Sequence, residues 1–314
     1  MAFFVNHRNM NDKKVPVGRF APSPSGRMHL GNVYTAVLSW LSVKSRGGRW
    51  VLRIEDLDPQ RSRMEYARQI EDDLRWLGLE WDEGGVDGIG GHGPYCQSMR
   101  RDYYEQAFNE IRSKGLIYPC TCRRADILAV QAPHASDGRV VYSGKCRPAE
   151  CPPFVVDANL AAAQRLFVPD EDIHFIDGIC GPQIVNLAHH CGDFIIRRAD
   201  GVYSYQLAVV VDDAAMGVTE VLRGDDLLLS SAQQIYLYRL LGLNVPNYFH
   251  VPLVCNEAGQ RLSKRDCSMS MEALRIRLTP QDILGEVGRL SGIRSEVGPC
   301  SLDELVAAYK SRCS

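Results

Sequence analysis

Apolar positions along the first third of the chain alternate between two periods. Runs typical of buried strands lie at 15–20 and 50–54, and a stretch with helical spacing follows each of them. The first helix is predicted from about Asn32 and the second over about 63–77, where Gly78 would end it. Strands that alternate with helices in this way predict a parallel sheet covered by helices.

The regular spacing of apolar positions is lost in the middle of the chain and returns after residue 200. Residues 118–153 are rich in Cys, Pro and Arg and show no clear period, so we predict an inserted module there. Further helices are predicted at 99–114, 158–166, 205–216, 232–241 and over the last 45 or so residues, and strands at 154–156, 173–176, 194–198, 219–223 and 249–254. This pattern divides the chain into the first half of a main domain (1–115), an inserted module (116–200), the second half of the main domain (201–255) and a loop with a helical tail (256–314).

Composition is typical of a folded globular protein. Of the 314 residues, 45% are hydrophobic and 24% are charged, which allows a substantial core in one large or two ordinary domains. Because the net charge is only −2, any contact with nucleic acid must use a local basic surface. The eleven cysteines form no disulfide framework, and the sequence has no secretory signal and no apolar run of membrane-spanning length. We therefore expect a cytosolic protein with reduced thiols.

Two segments carry residues suited to phosphate binding. Gly18-Arg-Phe-Ala-Pro-Ser-Pro-Ser-Gly26 leads into His29-Leu-Gly-Asn32, where a helix N-terminus and an imidazole would face a phosphate. Arg261-Leu-Ser-Lys-Arg265 offers an ammonium suited to a leaving pyrophosphate. Either segment alone would also fit an ordinary turn or a solvated basic loop. Together, and without a Walker loop in the chain, they predict an ATP site closed from both halves, with His29 and Lys264 as catalytic candidates.

Six motifs in a fixed order resemble the catalytic core of class I glutamyl-tRNA synthetases over about residues 15–270. Three of them are the stretches named above: Gly18-Arg-Phe-Ala-Pro-Ser-Pro-Ser-Gly26, His29-Leu-Gly-Asn32 and Arg261-Leu-Ser-Lys264. The other three are Arg53-Ile-Glu-Asp-Leu-Asp58, Tyr205 with Val209-Val-Val-Asp-Asp213, and Val221-Leu-Arg-Gly-Asp225. The resemblance implies an α/β fold, a Rossmann-type doubly wound parallel sheet with an inserted zinc-binding module and a helical tail. It also implies that the protein makes glutamyl-adenylate from glutamate and ATP with Mg²⁺. Asn32 and Arg261 depart from the family's HIGH and KMSKS motifs.

The resemblance also implies roles for individual residues. ATP would be bound by His29, Gly31, Asn32, Arg261, Ser263 and Lys264. Glutamate would be bound by Arg19, Phe20, Ala21, Pro22, Ser23, Glu55, Tyr205 and Arg223, with arginines holding carboxylates and Glu55 holding the α-ammonium. Judged from the residues alone, Glu55 could equally pair with Arg53, and Arg223 with Asp225 or Asp226.

Within this family the chain resembles the short glutamyl-queuosine tRNA(Asp) synthetases. It ends about 50 residues after Lys264, and it carries Cys120-Thr-Cys122 and Asp193-Phe-Ile-Ile-Arg-Arg-Ala-Asp-Gly201. This resemblance implies a monomer without an anticodon-binding domain, which activates glutamate without tRNA and attaches it to queuosine in the anticodon loop of tRNA(Asp). The alternatives are a truncated glutamyl-tRNA synthetase that charges tRNA(Glu), a silent RNA-binding paralogue, and a nucleotidyltransferase of the same fold.

The inserted module carries a candidate metal site. Cys120, Cys122 and Cys146 have the spacing and chemistry of a tetrahedral zinc site, since zinc accepts sulfur with little geometric demand. Cys151 and His134 are candidates for a fourth ligand on the chemistry of the residues alone. The resemblance to the short synthetases implies Tyr142 instead, with one structural Zn²⁺ per chain.

Overall fold

The computed structural model describes residues 15–122, 141–149, 162–254 and 269–313. The first third of the chain alternates strands and helices, as the hydrophobic pattern predicts. These elements are β1 (Val17–Phe20), α1 (Leu30–Lys44), β2 (Arg49–Leu52), α2 (Met64–Trp76), β3 (Glu83–Gly84) and α3 (Arg101–Ser113).

The middle of the chain contributes mainly strands. They are β4 (Ile117–Cys120), β5 (Ala163–Leu166), β6 (Asp172–Asp177) and β7 (Gly181–Asn186), followed by the short helix α4 (Leu187–His190) and by β8 (Ile195–Arg197). The alternating pattern then returns with α5 (Tyr205–Ala215), β9 (Glu220–Gly224), α6 (Leu228–Leu240) and β10 (Asn247–Val251). Three helices close the described part of the chain: α7 (Met271–Arg277), α8 (Pro280–Leu290) and α9 (Leu302–Cys313).

Seven strands form the main sheet in the order β3-β2-β1-β9-β10-β6-β7. All neighbouring strand pairs in this sheet are parallel except the β6–β7 hairpin at one edge. The chain runs outward from β1 to β2 and β3 on one side, and its later strands β9 and β10 lie on the other side of β1. The carboxyl ends of β1 and β9 therefore flank the point where the strand order reverses, which is where such sheets bind ligands.

Two apolar layers cover the sheet. Helices α1, α2, α7, α8 and α9 pack on one face through a cluster that includes Val33, Val37 and Leu284. Helices α3, α5 and α6 pack on the other face, around residues such as Phe108 and Val210. This three-layer arrangement confirms the predicted doubly wound α/β fold.

The predicted helix at 158–166 is wrong over its described part. Residues Ala163–Leu166 form β5, which pairs antiparallel with β4 so that Cys120 lies opposite Ala163 and Ile117 opposite Leu166. Pairing with β4 and β8 in a separate three-stranded sheet overrides the helical preference of the alanine-rich run. The strand predicted at 154–156 lies outside the described residues.

The β6–β7 hairpin also differs from the sequence-based division of the chain. Its residues fall within the predicted inserted module at 116–200, yet β6 pairs with β10 and extends the main sheet. Only β4, β5 and β8 form the separate small sheet. None of the helices in the described ranges is long and apolar enough to cross a membrane.

Candidate active site

A cleft of about 850 Å³ opens at the carboxyl ends of β1, β2 and β9. The structure brings every described candidate residue for ATP and glutamate to its wall. The residues concerned are Arg19, Phe20, Ala21, Pro22, Ser23, His29, Gly31, Asn32, Glu55, Tyr205 and Arg223. Arg261, Ser263 and Lys264 lie outside the described residues.

His29 caps the first helix and faces the cleft. Its backbone is extended, and its Nδ1 atom accepts a hydrogen bond from the Gly31 backbone N–H at 3.2 Å. In the neutral ring the proton is then on Nε2, which makes that atom a hydrogen-bond donor. A Cβ at position 31 would lie 3.1 Å from two ring atoms, so glycine there lets the imidazole fold back over the helix end.

Asn32 completes the cap. Its side-chain oxygen accepts the His29 backbone N–H at 3.1 Å, which is the reciprocal half of a capping box. The departure from the family's motif at this position therefore keeps the helix N-terminus ordered beside the cleft.

Both described ends of the chain around the second phosphate-binding segment lie at this cleft. Val254, the last described residue before it, lines the wall. After it, Ser270 forms an antiparallel bridge with His29, and the Met271 N–H donates to the Met28 carbonyl at 2.9 Å. The described residues on either side of the second phosphate-binding segment are therefore in contact with this site.

A chain of buried charges forms the floor of the site. The fully buried Arg53 donates to Asp213 at 2.5 Å and to Glu55 at 3.2 Å. Arg19 lies 3.4 Å from the Asp213 carboxylate on its other side. The ion pair between Glu55 and Arg53, an alternative interpretation from the sequence, is therefore present, and Glu55 still lines the cleft.

Burial and neighbouring charges move the pKa values of the two carboxyls in opposite directions. Burial raises the pKa of Glu55, and the attraction of Arg53 and Arg19 only partly offsets it. For Asp213, burial acts in the same direction, but Arg53 and Arg19 outweigh it and the pKa falls below its ordinary value. Asp213 is thus held as an anion between two arginines. The charge of Glu55 is less fully compensated, so its carboxylate is suited to bind a further cation.

Arg223, on the neighbouring strand β9, also lines the cleft, and its side-chain hydrogen-bond partners are neutral. It donates through Nε to His250 Nε2 at 3.2 Å, through Nη2 to Ser231 Oγ at 2.7 Å and through Nη1 to the Tyr205 hydroxyl at 3.4 Å. Since no carboxylate neutralises the guanidinium through these bonds, it is suited to an incoming carboxylate.

The sequence analysis missed His250, Ser231 and Asp177, which do not line the cleft but form a hydrogen-bonded group that reaches Arg223. His250 is fully buried in β10, and its Nδ1 lies 2.6 Å from Asp177 Oδ2. The signal was a histidine inside an otherwise apolar strand. Its partner could not be identified from sequence, because Asp177 is 73 residues away and meets it through the pairing of β6 with β10.

A second cluster gathers the predicted thiols of the inserted module. The sulfur atoms of Cys120, Cys122 and Cys146 all lie within 4.8 Å of one another, and those of Cys122 and Cys146 are 3.5 Å apart. The Tyr142 hydroxyl is 3.7 Å from the Cys120 sulfur. Three Zn–S bonds of about 2.3 Å in a tetrahedron place sulfurs about 3.8 Å apart, so this cluster is compatible with a zinc site. Cys151 and His134 lie outside the described residues.

The pKa values of the Cys120 and Cys122 thiols differ because their surroundings differ. Burial raises the pKa of Cys120, but hydrogen bonds from Arg165, the Cys122 backbone and Tyr142 lower it to about 7 overall. Burial and the neighbouring thiols raise the pKa of Cys122 to about 11. The Arg165 guanidinium also stacks 3.6 Å from the centre of the Tyr142 ring, which fixes that phenol beside the sulfurs.

Comparison with known proteins decides the family. A model described as the catalytic domain of class I tRNA synthetases (E and Q) matches residues 14–295. The chain belongs to this family. The match confirms the resemblance seen in the six motifs.

Relatives within the family are similar over nearly their whole length. The glutamyl-Q tRNA(Asp) synthetase of Symbiobacterium thermophilum is 48% identical over 299 residues, which cover 93% of this chain and 91% of that protein. The protein of the same name from Nitratidesulfovibrio vulgaris is 46% identical, over 90% of this chain and 88% of that one. These matches confirm the predicted resemblance to the short branch of the synthetase family.

Solved structures of longer synthetases share the fold. A glutamate tRNA ligase from Elizabethkingia meningosepticum, in complex with its amino acid, superposes with a TM-score of 0.79 at 28% identity. The match covers 93% of this chain but only 64% of that longer one. A Mycobacterium tuberculosis methionyl-tRNA synthetase, with a TM-score of 0.55 at 10% identity, shares the fold alone.

Proposed function

We propose that this synthetase activates glutamate as glutamyl-adenylate without tRNA and transfers the glutamyl group to queuosine in the anticodon loop of tRNA(Asp). The observation that carries the proposal is the single cleft that gathers a capped helix N-terminus, two buried arginines and one buried glutamate. The name shared by relatives at 46–48% identity supports the same substrate.

The charges of the cleft match those of glutamate. Arg19 and Arg223 would each hold a carboxylate, and Glu55 would accept the α-ammonium group. Tyr205, whose hydroxyl is fixed by Arg223, would add a hydrogen bond, and the backbone from Phe20 to Ser23 would close the wall. A substrate with one carboxylate fewer would leave one arginine in the pocket without its anion.

In the activation step, the α-carboxylate of glutamate attacks the α-phosphorus of ATP and pyrophosphate leaves. The His29 Nε2–H and the N-terminus of α1 would donate to the phosphate oxygens as charge builds on them. Gly31 and Asn32 shape this end of the cleft, and Arg261, Ser263 and Lys264 would hold the leaving phosphates. Mg²⁺ enters as the counter-ion of ATP.

We also propose that Cys120, Cys122, Cys146 and Tyr142 hold one Zn²⁺ per chain. The spacing of the sulfurs and of the phenol oxygen supports the tetrahedral arrangement of such a site. The ion would supply a cross-link between β4 and residues 141–149, a region with few apolar contacts of its own.

The proposed substrate implies a cytoplasmic enzyme, where tRNA is available. We propose that it acts as a monomer, because one chain supplies candidate residues for both glutamate and ATP.

The decisive experiment locates labelled glutamate. The protein is incubated with ATP, labelled glutamate and, in separate reactions, tRNA(Asp) with queuosine, tRNA(Asp) without queuosine and tRNA(Glu). We expect the label on the queuosine-containing tRNA alone, and none on the same tRNA when its cyclopentene diol has been cleaved by periodate before the incubation. Label at the 3′ end of tRNA(Glu) would identify a truncated glutamyl-tRNA synthetase instead, and no ATP–pyrophosphate exchange with glutamate would identify a silent paralogue.

One variant tests the second phosphate-binding segment within the same assay. Lys264→Ala should slow adenylate formation by roughly 10²–10³, the loss typical of one preorganised charge-stabilising donor. Lys114→Ala, which removes a surface lysine at the end of α3, is the matched control. This variant should catalyse ATP–pyrophosphate exchange at the wild-type rate. Wild-type exchange in the Lys264 variant would contradict the assignment.

A further inference from the structure

Arg223 and His250 form a cross-strand pair in the centre of the sheet. The register of β9 and β10 places the two residues directly opposite each other, so their side chains lie on the same face. Arg223 is 4% exposed and His250 is fully buried. The imidazole Nε2 atom lies 3.2 Å from the Arg223 Nε, so its hydrogen-bonding state contributes to the orientation of the guanidinium.

Asp177 decides which hydrogen-bonding role that atom has. Its Oδ1 atom accepts backbone N–H groups from Ile179, Cys180 and His250 at 3.0, 2.8 and 3.2 Å, and these bonds hold the carboxylate as an anion. An anion only accepts, so the bond of 2.6 Å between Asp177 Oδ2 and His250 Nδ1 requires the proton on Nδ1. His250 Nε2 is then an acceptor.

A glycine lets the two strands approach closely enough for this contact. A Cβ at Gly178 would lie 2.2 Å from the Phe249 ring, next to His250 on β10. The turn that follows Asp177 therefore packs directly on the strand that carries the imidazole.

An imidazole acceptor affects Arg223 differently from a carboxylate. Arg19, on the adjacent strand β1, pairs with Asp213, whereas Arg223 donates to a ring nitrogen, a serine hydroxyl and a phenol. A neutral acceptor at Nε aligns the guanidinium plane but leaves its positive charge for a substrate anion. A second carboxylate at this position would compete with the substrate.

We propose that His250, held by Asp177, is a positioning residue that fixes the Arg223 guanidinium for a carboxylate of the amino-acid substrate. This inference rests on the proposed function, because it takes glutamate as that substrate. It also gives the β6–β7 hairpin a role in the site, since Asp177 is the last residue of β6.

Variants of His250 separate positioning from a general effect on the fold. His250→Leu removes the acceptor and should raise the glutamate KM in ATP–pyrophosphate exchange about tenfold, since one buried hydrogen bond to a charged group is lost. The ATP KM should stay within about twofold, because the phosphate side of the cleft is untouched. His250→Gln, whose side-chain oxygen can accept from Arg223, should recover most of the loss. A rise of both KM values together, or no recovery with glutamine, would overturn the proposal.

Asp177→Asn tests the proton position with almost no change of shape. Its amide can donate to Nδ1, which places the ring proton on Nε2 facing the Arg223 N–H. The glutamate KM should again rise about tenfold, the cost of one such bond. This variant also covers the case in which His250→Leu fails to fold. His174→Leu, on the exposed face of the same strand, is the control and should leave both KM values unchanged.

Glutamate binding by titration calorimetry, measured beside exchange, keeps this inference separate from the proposed function. If the wild type binds and activates glutamate but the three variants do so equally well, only the positioning role fails. If the wild type binds glutamate without exchange, the proposed reaction fails, while weaker binding in the variants still supports the positioning role. A wild type that does not bind glutamate overturns both.

Discussion

At the scale of single residues, the cleft depends on buried charges that satisfy one another. Arg53 is the central member, because it contacts the Asp213 and Glu55 carboxylates at once and has no access to solvent. A buried ion pair contributes little net stability compared with an apolar replacement, but a carboxylate left without its partner is costly. The arrangement therefore serves the site by holding Glu55 and Arg19 in place.

Arg53→Met is expected to destabilise the protein by about 3–5 kcal/mol, because Asp213 and Glu55 would each lose a buried cation. The measurement is the free energy of unfolding in urea. Arg289→Met, which removes an exposed arginine paired with the exposed Glu286, is the control and should leave the unfolding midpoint nearly unchanged. Equal midpoints for the two variants would show that the buried network does not stabilise the fold.

At the scale of elements, the sequence predicted what has a clear period and failed where tertiary pairing decides. Helices α1 to α3 and strands β1, β2, β9 and β10 lie close to their predicted positions. The alanine-rich run became β5 because β4 and β8 supply its hydrogen-bond partners, which no local pattern reveals. The motifs identified Arg19, Glu55 and Arg223 as candidates, and all three line the cleft, whereas Asp177 and His250 meet only because β6 pairs with β10.

The cluster of Cys120, Cys122 and Cys146 allows a test of metal binding at the scale of elements. Cys122→Ser should lower the metal content from one zinc per chain to well below one, and should expose residues 141–149 to proteolysis, because the cross-link to β4 is lost. Elemental analysis and limited proteolysis measure the two effects. Cys180→Ser, a change at an exposed thiol outside the cluster, should alter neither. Native protein without metal would refute the zinc proposal.

At the scale of the whole molecule, stability should depend on pH through His250. Burial lowers the pKa of His250, and although Asp177 acts in the opposite direction, the net shift is downward. The unfolded chain takes up a proton near pH 6.5, while the folded protein resists it, so stability falls as pH drops below about 6.5. Asp177, whose pKa is lowered overall despite burial, acts only at more acidic pH.

Thermal unfolding between pH 6.8 and 5.5 checks this dependence. The wild type should lose on the order of 1 kcal/mol over this range, the linkage of one proton, and His250→Gln should lose clearly less. The raised pKa of Glu55 acts in the opposite sense, because the folded protein then takes up a proton first, and that contribution is common to both proteins. Identical pH profiles would exclude His250 as the titrating group.

The pairing of the β6–β7 hairpin with the main sheet limits which segments can be swapped between this protein and its relatives to build chimeras. A cassette that carries all three cysteines must be cut before β4, whose last residue is Cys120, and can be rejoined before β6 without touching the nucleotide half of the molecule. A cassette that extends through residue 186 would also remove the edge of the sheet and the aspartate beneath the amino-acid pocket. Chimeras joined on the two sides of β6 would therefore inherit different amino-acid affinities from the same pair of parents.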